Sequence, residues 1–194
     1  MLTALALMLA QPADEAPPPP PASPPSMPVG EALETAIAAR DAQLFEAAFE
    51  GCDPDAVGTI IGPDFTMLHD LGGLAVPSSE AFVASLQEQC DARLPGGRNA
   101  GYKNRREVVP GSRIVRRLGD WGALEEANHI FFEWRAGKAE DGAPSSGHWE
   151  LVGGARYMHA WKWEPGADGG QGAFKLERSY SYDHGAVRSA GAPG

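Results

Sequence analysis

The sequence is poor in the motifs that usually announce a function. It holds two cysteines, Cys52 and Cys90, and no C-x-x-C pair, which removes the ordinary structural zinc site. No His-x-His spacing occurs, so nothing local supports a zinc or iron centre, and no metal is expected. No glycine-rich phosphate loop is present. The glycines at 169–172 sit in a turn, so neither ATP nor NAD is expected, nor any other cofactor. No Ser or Cys nucleophile motif appears, and Gly111-Ser112 lies in a turn. Basic residues are outnumbered, 16 Lys and Arg against 26 Asp and Glu, for a formal charge of −10. That balance argues against a nucleic-acid-binding surface, which needs clustered cations. The run Lys103-Asn104-Arg105-Arg106 is the one basic cluster of that kind and reads as a solvated strand start.

Long apolar runs are also missing, so no transmembrane helix is expected. Residues 2–10 are apolar but short. They resemble the core of a secretory leader without its basic flank, so residues 1–11 are a candidate signal segment. The address is then periplasmic or secreted, or cytoplasmic if residues 1–10 are not a signal. Prolines concentrate early, five of them consecutive at Pro17 to Pro21, which makes residues 12–29 an extended linker. In an exported chain Cys52 and Cys90 have a disulfide open to them. Two buried free thiols on helices are the simpler reading.

What remains is enough for one domain, residues 30–185, before a small polar tail at 186–194. Leu33, Ile37, Leu44 and Ala48 share a helical stripe over 31–50. Asp53 and Pro54 open a second, short helix that Gly58, Gly62 and Pro63 should end. Residues 65–70 read as a strand. Ser78 or Ser79 caps a third helix over 80–93. Strands follow at 105–109, 113–118 and 123–135. A polar loop at 136–147 is long for a hairpin, and reads as a flap or an insertion. Two alternating aromatic runs, 155–163 and 175–184, make a closing hairpin at the centre of the sheet. Helices first and then a meander give an α+β fold, a curved antiparallel sheet against three helices with a pocket in its mouth.

The residues along this course resemble the nuclear transport factor 2-like superfamily, and within it the bacterial SnoaL-like members. The resemblance rests on Ala39-Arg40-Asp41, Asp64-Phe65, His69-Asp70, the run Arg106 to Ser112, His129, Met158-His159-Ala160-Trp161 and Ser181-Tyr182-Asp183-His184. It implies a cone-shaped sheet packed on three N-terminal helices, a central pocket and a homodimer formed through the outer sheet face. Ketosteroid isomerases, polyketide cyclases, dehydratases and non-catalytic binding modules share that fold, so fold alone does not choose a function.

Strand alternation puts Phe65, Met67 and His69 on one face, Ala127, His129 and Phe131 on another, and Tyr157, His159, Trp161 and Trp163 on a third. Leu176, Arg178, Tyr180, Tyr182 and His184 form a fourth. If these faces converge they enclose an aromatic hollow with several imidazoles. His69, His129, His159 and His184, with Asp183, are the candidate catalytic residues, since a desolvated imidazole stays neutral and can act as a base. Asp70 and Asp183 could orient a histidine only across strands, because strand neighbours face opposite ways. Met67, Arg106, Phe131, Tyr157, Trp161 and Tyr182 are the candidate ligand contacts. Arg106 either pairs with Glu107 or stands at the pocket rim, where it suits a carboxylate. The expected function is binding of a small apolar or carbonyl-bearing molecule, with cofactor-free lyase, isomerase or cyclase chemistry by proton transfer. The alternative is a non-catalytic ligand- or protein-binding module of the cell envelope.

Overall fold

The computed structural model describes residues 26–137, 147–166 and 170–185. The candidate signal segment, most of the proline-rich linker, the middle of the 136–147 loop and the tail lie outside the described residues. Helix α1, Glu31–Phe45, buries Leu33, Ile37, Asp41 and Leu44 and runs on as a π-helical segment, Glu46–Gly51. Helix α2, Pro54–Ile60, begins where the Asp53 side chain accepts the Ala56 N–H and proline occupies the first turn. It passes through Gly58, so that glycine does not end it. Strand β1 starts at once, at Ile61. Helix α3, Ser79–Arg93, is capped by Ser78, whose hydroxyl accepts the Ala81 N–H.

The strands are β1 (Ile61–His69), β2 (Gly73–Val76), β3 (Asn104–Val108), β4 (Ile114–Leu118), β5 (Gly122–Arg135), β6 (His148–Glu164) and β7 (Ala173–Gly185). They form one sheet in the order β2-β1-β7-β6-β5-β3, with β4 beside the first half of β5. The β6–β7 hairpin stands in the middle, flanked by β5 and β1. Two features depart from the sequence reading. β2 is an extra strand, and β1 pairs with β7 in parallel rather than antiparallel fashion.

The helices cover one face of the sheet. Ile37, Leu44, Val57, Ile60, Phe65, Leu86, Trp161 and Leu176 are the heart of this layer, and Met27 packs into it from the end of the linker. Across β5 and β6 small residues oppose large ones, Ala123 with Trp161, Ala127 with Tyr157 and His129 with Ala155. The methyl side chains leave the volume that the rings fill, which is how close packing is reached on a curved sheet. Cys52 and Cys90 are not free thiols: they form a disulfide, with Cα atoms 5.6 Å apart. It ties the end of the π-helical segment to α3. The Arg93 guanidinium adds a second tie, donating to the Phe49 carbonyl at 2.9 Å.

Candidate binding cleft

The inward faces of α1, β3, β5 and β6 meet as a charged cluster. Asp41 occupies the apolar stripe of α1, one turn beyond Ile37, with its side chain only 1% exposed. Arg106 on β3 donates to it from Nη1 at 2.6 Å, and Arg113, just ahead of β4, donates from Nη2 at 2.8 Å. Arg113 also donates from Nε to Glu125 at 2.8 Å. Glu125, fully buried on β5, further accepts from the Tyr157 hydroxyl at 2.9 Å and the Trp161 indole at 2.8 Å. His159 faces Glu125 directly across the β5–β6 ladder. Its Nδ1 stands 3.5 Å from Asp41 and 3.6 Å from Glu125, too far for hydrogen bonds but close enough for ion pairing. The Arg106 guanidinium lies between two rings, 3.6 Å from the Phe45 centroid and 4.4 Å from that of Tyr157.

The expected apolar hollow is therefore replaced, at the centre, by ion pairs. The reason is that Asp41 and Glu125 fall in phase with apolar neighbours and are carried inward with them. The ligand atoms of Asp41, Glu125 and His159 lie close together, with Arg106 and Arg113 on Asp41 Oδ2, Arg113 and Tyr157 on Glu125 Oε1 and Trp161 on Glu125 Oε2. Trp161, a candidate ligand contact, is fully buried and braces the cluster through Glu125. Arg106 does not pair with Glu107, which reaches Arg105 instead at 3.0 Å.

Burial by itself would raise the pKa of Asp41, but the facing His159 and Arg106 outweigh it and hold the carboxyl well below the usual range. Burial opposes the charging of His159, and the carboxylates of Asp41 and Glu125 overcome that, raising its pKa. The Tyr157 hydroxyl is pushed up by burial and then by Glu125, so it remains a donor. His129 goes the other way: burial, with the Arg106 charge second, lowers it to about 2. A shift in that direction favours the neutral ring. Its Nδ1 accepts the Arg106 Nε–H at 3.1 Å, which leaves the proton on Nε2 as a donor.

A cleft of about 440 Å³ opens onto this cluster, lined by Asp41, Phe45, Glu46, Arg106, Val108 and Arg113 among others. Asp41 Oδ1 and Arg106 Nη2, both buried, have no hydrogen-bond partner among the described residues. A larger groove of about 800 Å³ runs between α2, α3 and β1. None of the sequence-derived site residues lines it.

No protein-family model matches the sequence, and no curated protein matches it. Solved structures do. Aln2 from a Streptomyces species superposes with a TM-score of 0.58 at 11% identity, covering 79% of this chain and 92% of its own. A protein from Catenulispora acidiphila, solved in complex with S-DNPA, gives 0.56 at 15% identity over 80% of this chain and 95% of its own. A second structure from the same organism gives 0.55 at 18% identity over 79% and 91%. The helix order, the sheet order and these superpositions agree. The chain has the nuclear transport factor 2-like fold.

Within this fold the four motif histidines fall into two groups. His129 and His159 flank Tyr157, with ring centroids 4.9 and 4.5 Å from it. His69 and His184 stack on each other at 4.0 Å, at the ends of β1 and β7. Phe131 stays beside the first group, 4.5 Å from His129 and stacked on Phe49. Met67 packs against the core from β1. The expected face of β7 is corrected. A register shift opposite Ala160 and Trp161 keeps both Leu176 and Glu177 inside, so Ser179 and Ser181 follow inward while Arg178, Tyr180 and Tyr182 turn out. Tyr182 then meets Glu126 and Arg156 on the outer side of the sheet, away from the cleft. Asp183 is exposed beside Arg156, at 3.7 Å, and orients no histidine. Asp70 does so across strands, accepting from or sharing a proton with His184 Nδ1 at 2.6 Å.

The groups that sequence reasoning missed are Asp41, Arg113 and Glu125. Two carried a signal. Asp41 breaks the apolar stripe of Leu33, Ile37, Leu44 and Ala48, and Glu125 continues the inward series of Ala127 and His129 backwards. Arg113 carried none.

Proposed function

We propose that this chain is a non-catalytic binding module for a small molecule with a carboxylate or similar anionic oxygen head, seated in the cleft over Asp41, Arg106 and Arg113. The observation that carries the reading is the pair of guanidiniums on the cleft wall. Arg106 and Arg113 set two guanidiniums on the cleft wall around Asp41, with the Glu46 and Glu50 carboxylates beside them. An anion that reaches these guanidiniums meets them in a partly dry setting, where pairing is strong. Phe45 and Val108 offer apolar walls for the rest of the ligand. Proton-transfer chemistry at this cleft is disfavoured because His129 and Asp41, the groups beside Arg106, are engaged. His129 gives its lone pair to Arg106, and Asp41 is held as a weakly basic anion.

The test is calorimetric titration with paired ligands, benzoate against benzamide and phenylacetate against phenylacetamide. The acids should bind and the amides should not, and Arg113→Gln should weaken the acids at least about tenfold, a charge-assisted contact's share. Equal binding of amides, or no effect at Arg113, would sink the reading.

Two further attributes follow from the same structure. The Cys52–Cys90 disulfide supports an oxidising address, periplasmic or secreted. Fractionation of cells expressing the full chain checks it, and a purely cytoplasmic pool would refute it. The outer sheet face suits a homodimer: the register aligns Leu68, Tyr180 and Met158 in one lateral row, and Leu68 and Tyr180 are exposed.

A further inference from the structure

The ends of β1 and β7 hold a second cluster that shares no residue with the cleft. The parallel register sets His69 beside Ser181, and the Asp70 N–H donates to the Ser181 carbonyl at 3.0 Å. Asp183 then takes a left-handed backbone, φ 57°, uncommon for a residue other than glycine. That twist breaks strand alternation and swings His184 back over His69, with the rings 19° from parallel. Both imidazoles bring the same atom to the same place. Nδ1 of His69 lies 3.2 Å, and Nδ1 of His184 2.6 Å, from Oδ1 of Asp70.

We propose that His69, Asp70 and His184 form a three-ligand site for a divalent cation of the zinc, nickel and copper class. Three observations support it. The His69 Nδ1 accepts the Leu71 N–H at 3.1 Å, so it carries a lone pair and not a proton. Leu71 is 80% exposed, and its N–H can turn to solvent when a cation takes that lone pair. The His184 Nε2 lies 3.1 Å from the Ser181 hydroxyl, and the second oxygen of Asp70 accepts the His184 N–H at 3.1 Å. An imidazole ligand whose other nitrogen donates to a fixed oxygen, beside a carboxylate that is itself hydrogen-bonded, is the usual outer support of a metal site. The side chains are 20–29% exposed, so a cation can enter and keep water in its remaining positions. Two imidazoles and one carboxylate suit zinc, nickel or copper better than magnesium or calcium, which prefer oxygen alone. The missing His-x-His spacing does not count against the site, because the fold, and not local sequence, brings the ligands together.

The experiment titrates the metal-stripped full chain with Zn²⁺ alone by calorimetry. One equivalent should bind saturably. His69→Ala and His184→Ala should each remove that step, and Ser181→Ala should weaken it about tenfold, the effect of losing an outer hydrogen bond. Long-range ¹H–¹⁵N spectra of the wild-type imidazoles guard against variants that fail to fold. Zinc should move the Nδ1 signals of His69 and His184 and leave those of His129 and His159 in place. Absence of a saturable equivalent, survival of the step in the His69→Ala/His184→Ala chain, or unmoved Nδ1 signals would each overturn the proposal.

Discussion

Acidifying the domain from pH 6 to pH 4.5 should cost it about 2 kcal/mol through one buried ring, that of His129. The folded ring titrates at about 2, well below the window. In the unfolded chain a histidine titrates at about 6.5. The unfolded state therefore takes up a proton that the folded state refuses. Stability falls as pH drops below about 6.5, approaching about 1.4 kcal/mol per pH unit. Integrated over this window, with titration already begun at pH 6, the loss is about 2 kcal/mol. Its neighbours do not mask it. His159, with a raised pKa, contributes stability that is complete below about 6.5 and lost as pH rises through its folded value, so it is nearly constant here. Asp41, with a lowered pKa, contributes above about 4 and loses that only as pH falls further. Urea and thermal unfolding of the wild type and of His129→Gln at three pH values would measure the difference. The wild-type midpoint should fall about 4–8 °C across the window from this source, at about 2–4 °C per kcal/mol for a domain of this size. The variant should fall by that much less. Exposed carboxylates such as Asp70 and Glu150 titrate in both proteins and cancel in the comparison. Equal slopes in the two proteins would refute the reasoning.

Asp41→Asn should destabilise the domain by about 3–5 kcal/mol, since it removes the carboxylate that pairs with the buried Arg106 guanidinium; chemical denaturation gives the figure, and a loss under about 1 kcal/mol would show the ion pairs to be incidental. Cys52→Ser/Cys90→Ser should lose about 3–4 kcal/mol, the value for a closed loop of this length, and the wild type should lose the same in reductant. Tyr180→Glu should shift a sedimenting dimer to monomer without changing the melting of the monomer; an unchanged dimer would place the interface elsewhere.

Much of the fold was legible because local chemistry and tertiary need agree. Asp53 before Pro54 and Ser78 before α3 are caps that work in isolation. The aromatic runs at 155–163 and 175–184 alternate cleanly enough to mark the central hairpin. The cluster was harder to read. A lone Asp in a helix or a lone Glu in a strand is ordinary on a surface, and only the phase of its neighbours says that it points inward. Position by phase fails where the phase itself shifts. The register shift at Leu176 and the left-handed Asp183 each turn a stretch of β7 over, and neither has a residue-level mark such as glycine. The parallel pairing of β1 with β7, which joins Asp70 to His184 over more than a hundred residues, is likewise invisible to any local pattern.

The Cys52–Cys90 bond has a consequence for the cleft. Glu46 and Glu50, from the π-helical segment that this bond anchors, stand on the cleft's edge. Its wall is thus riveted to α3 by a covalent pin that survives only where thiols stay oxidised. Moved into a reducing interior, the sheet would keep its strands while one bank of the cleft lost its covalent hold, and the anion binding proposed above should weaken there.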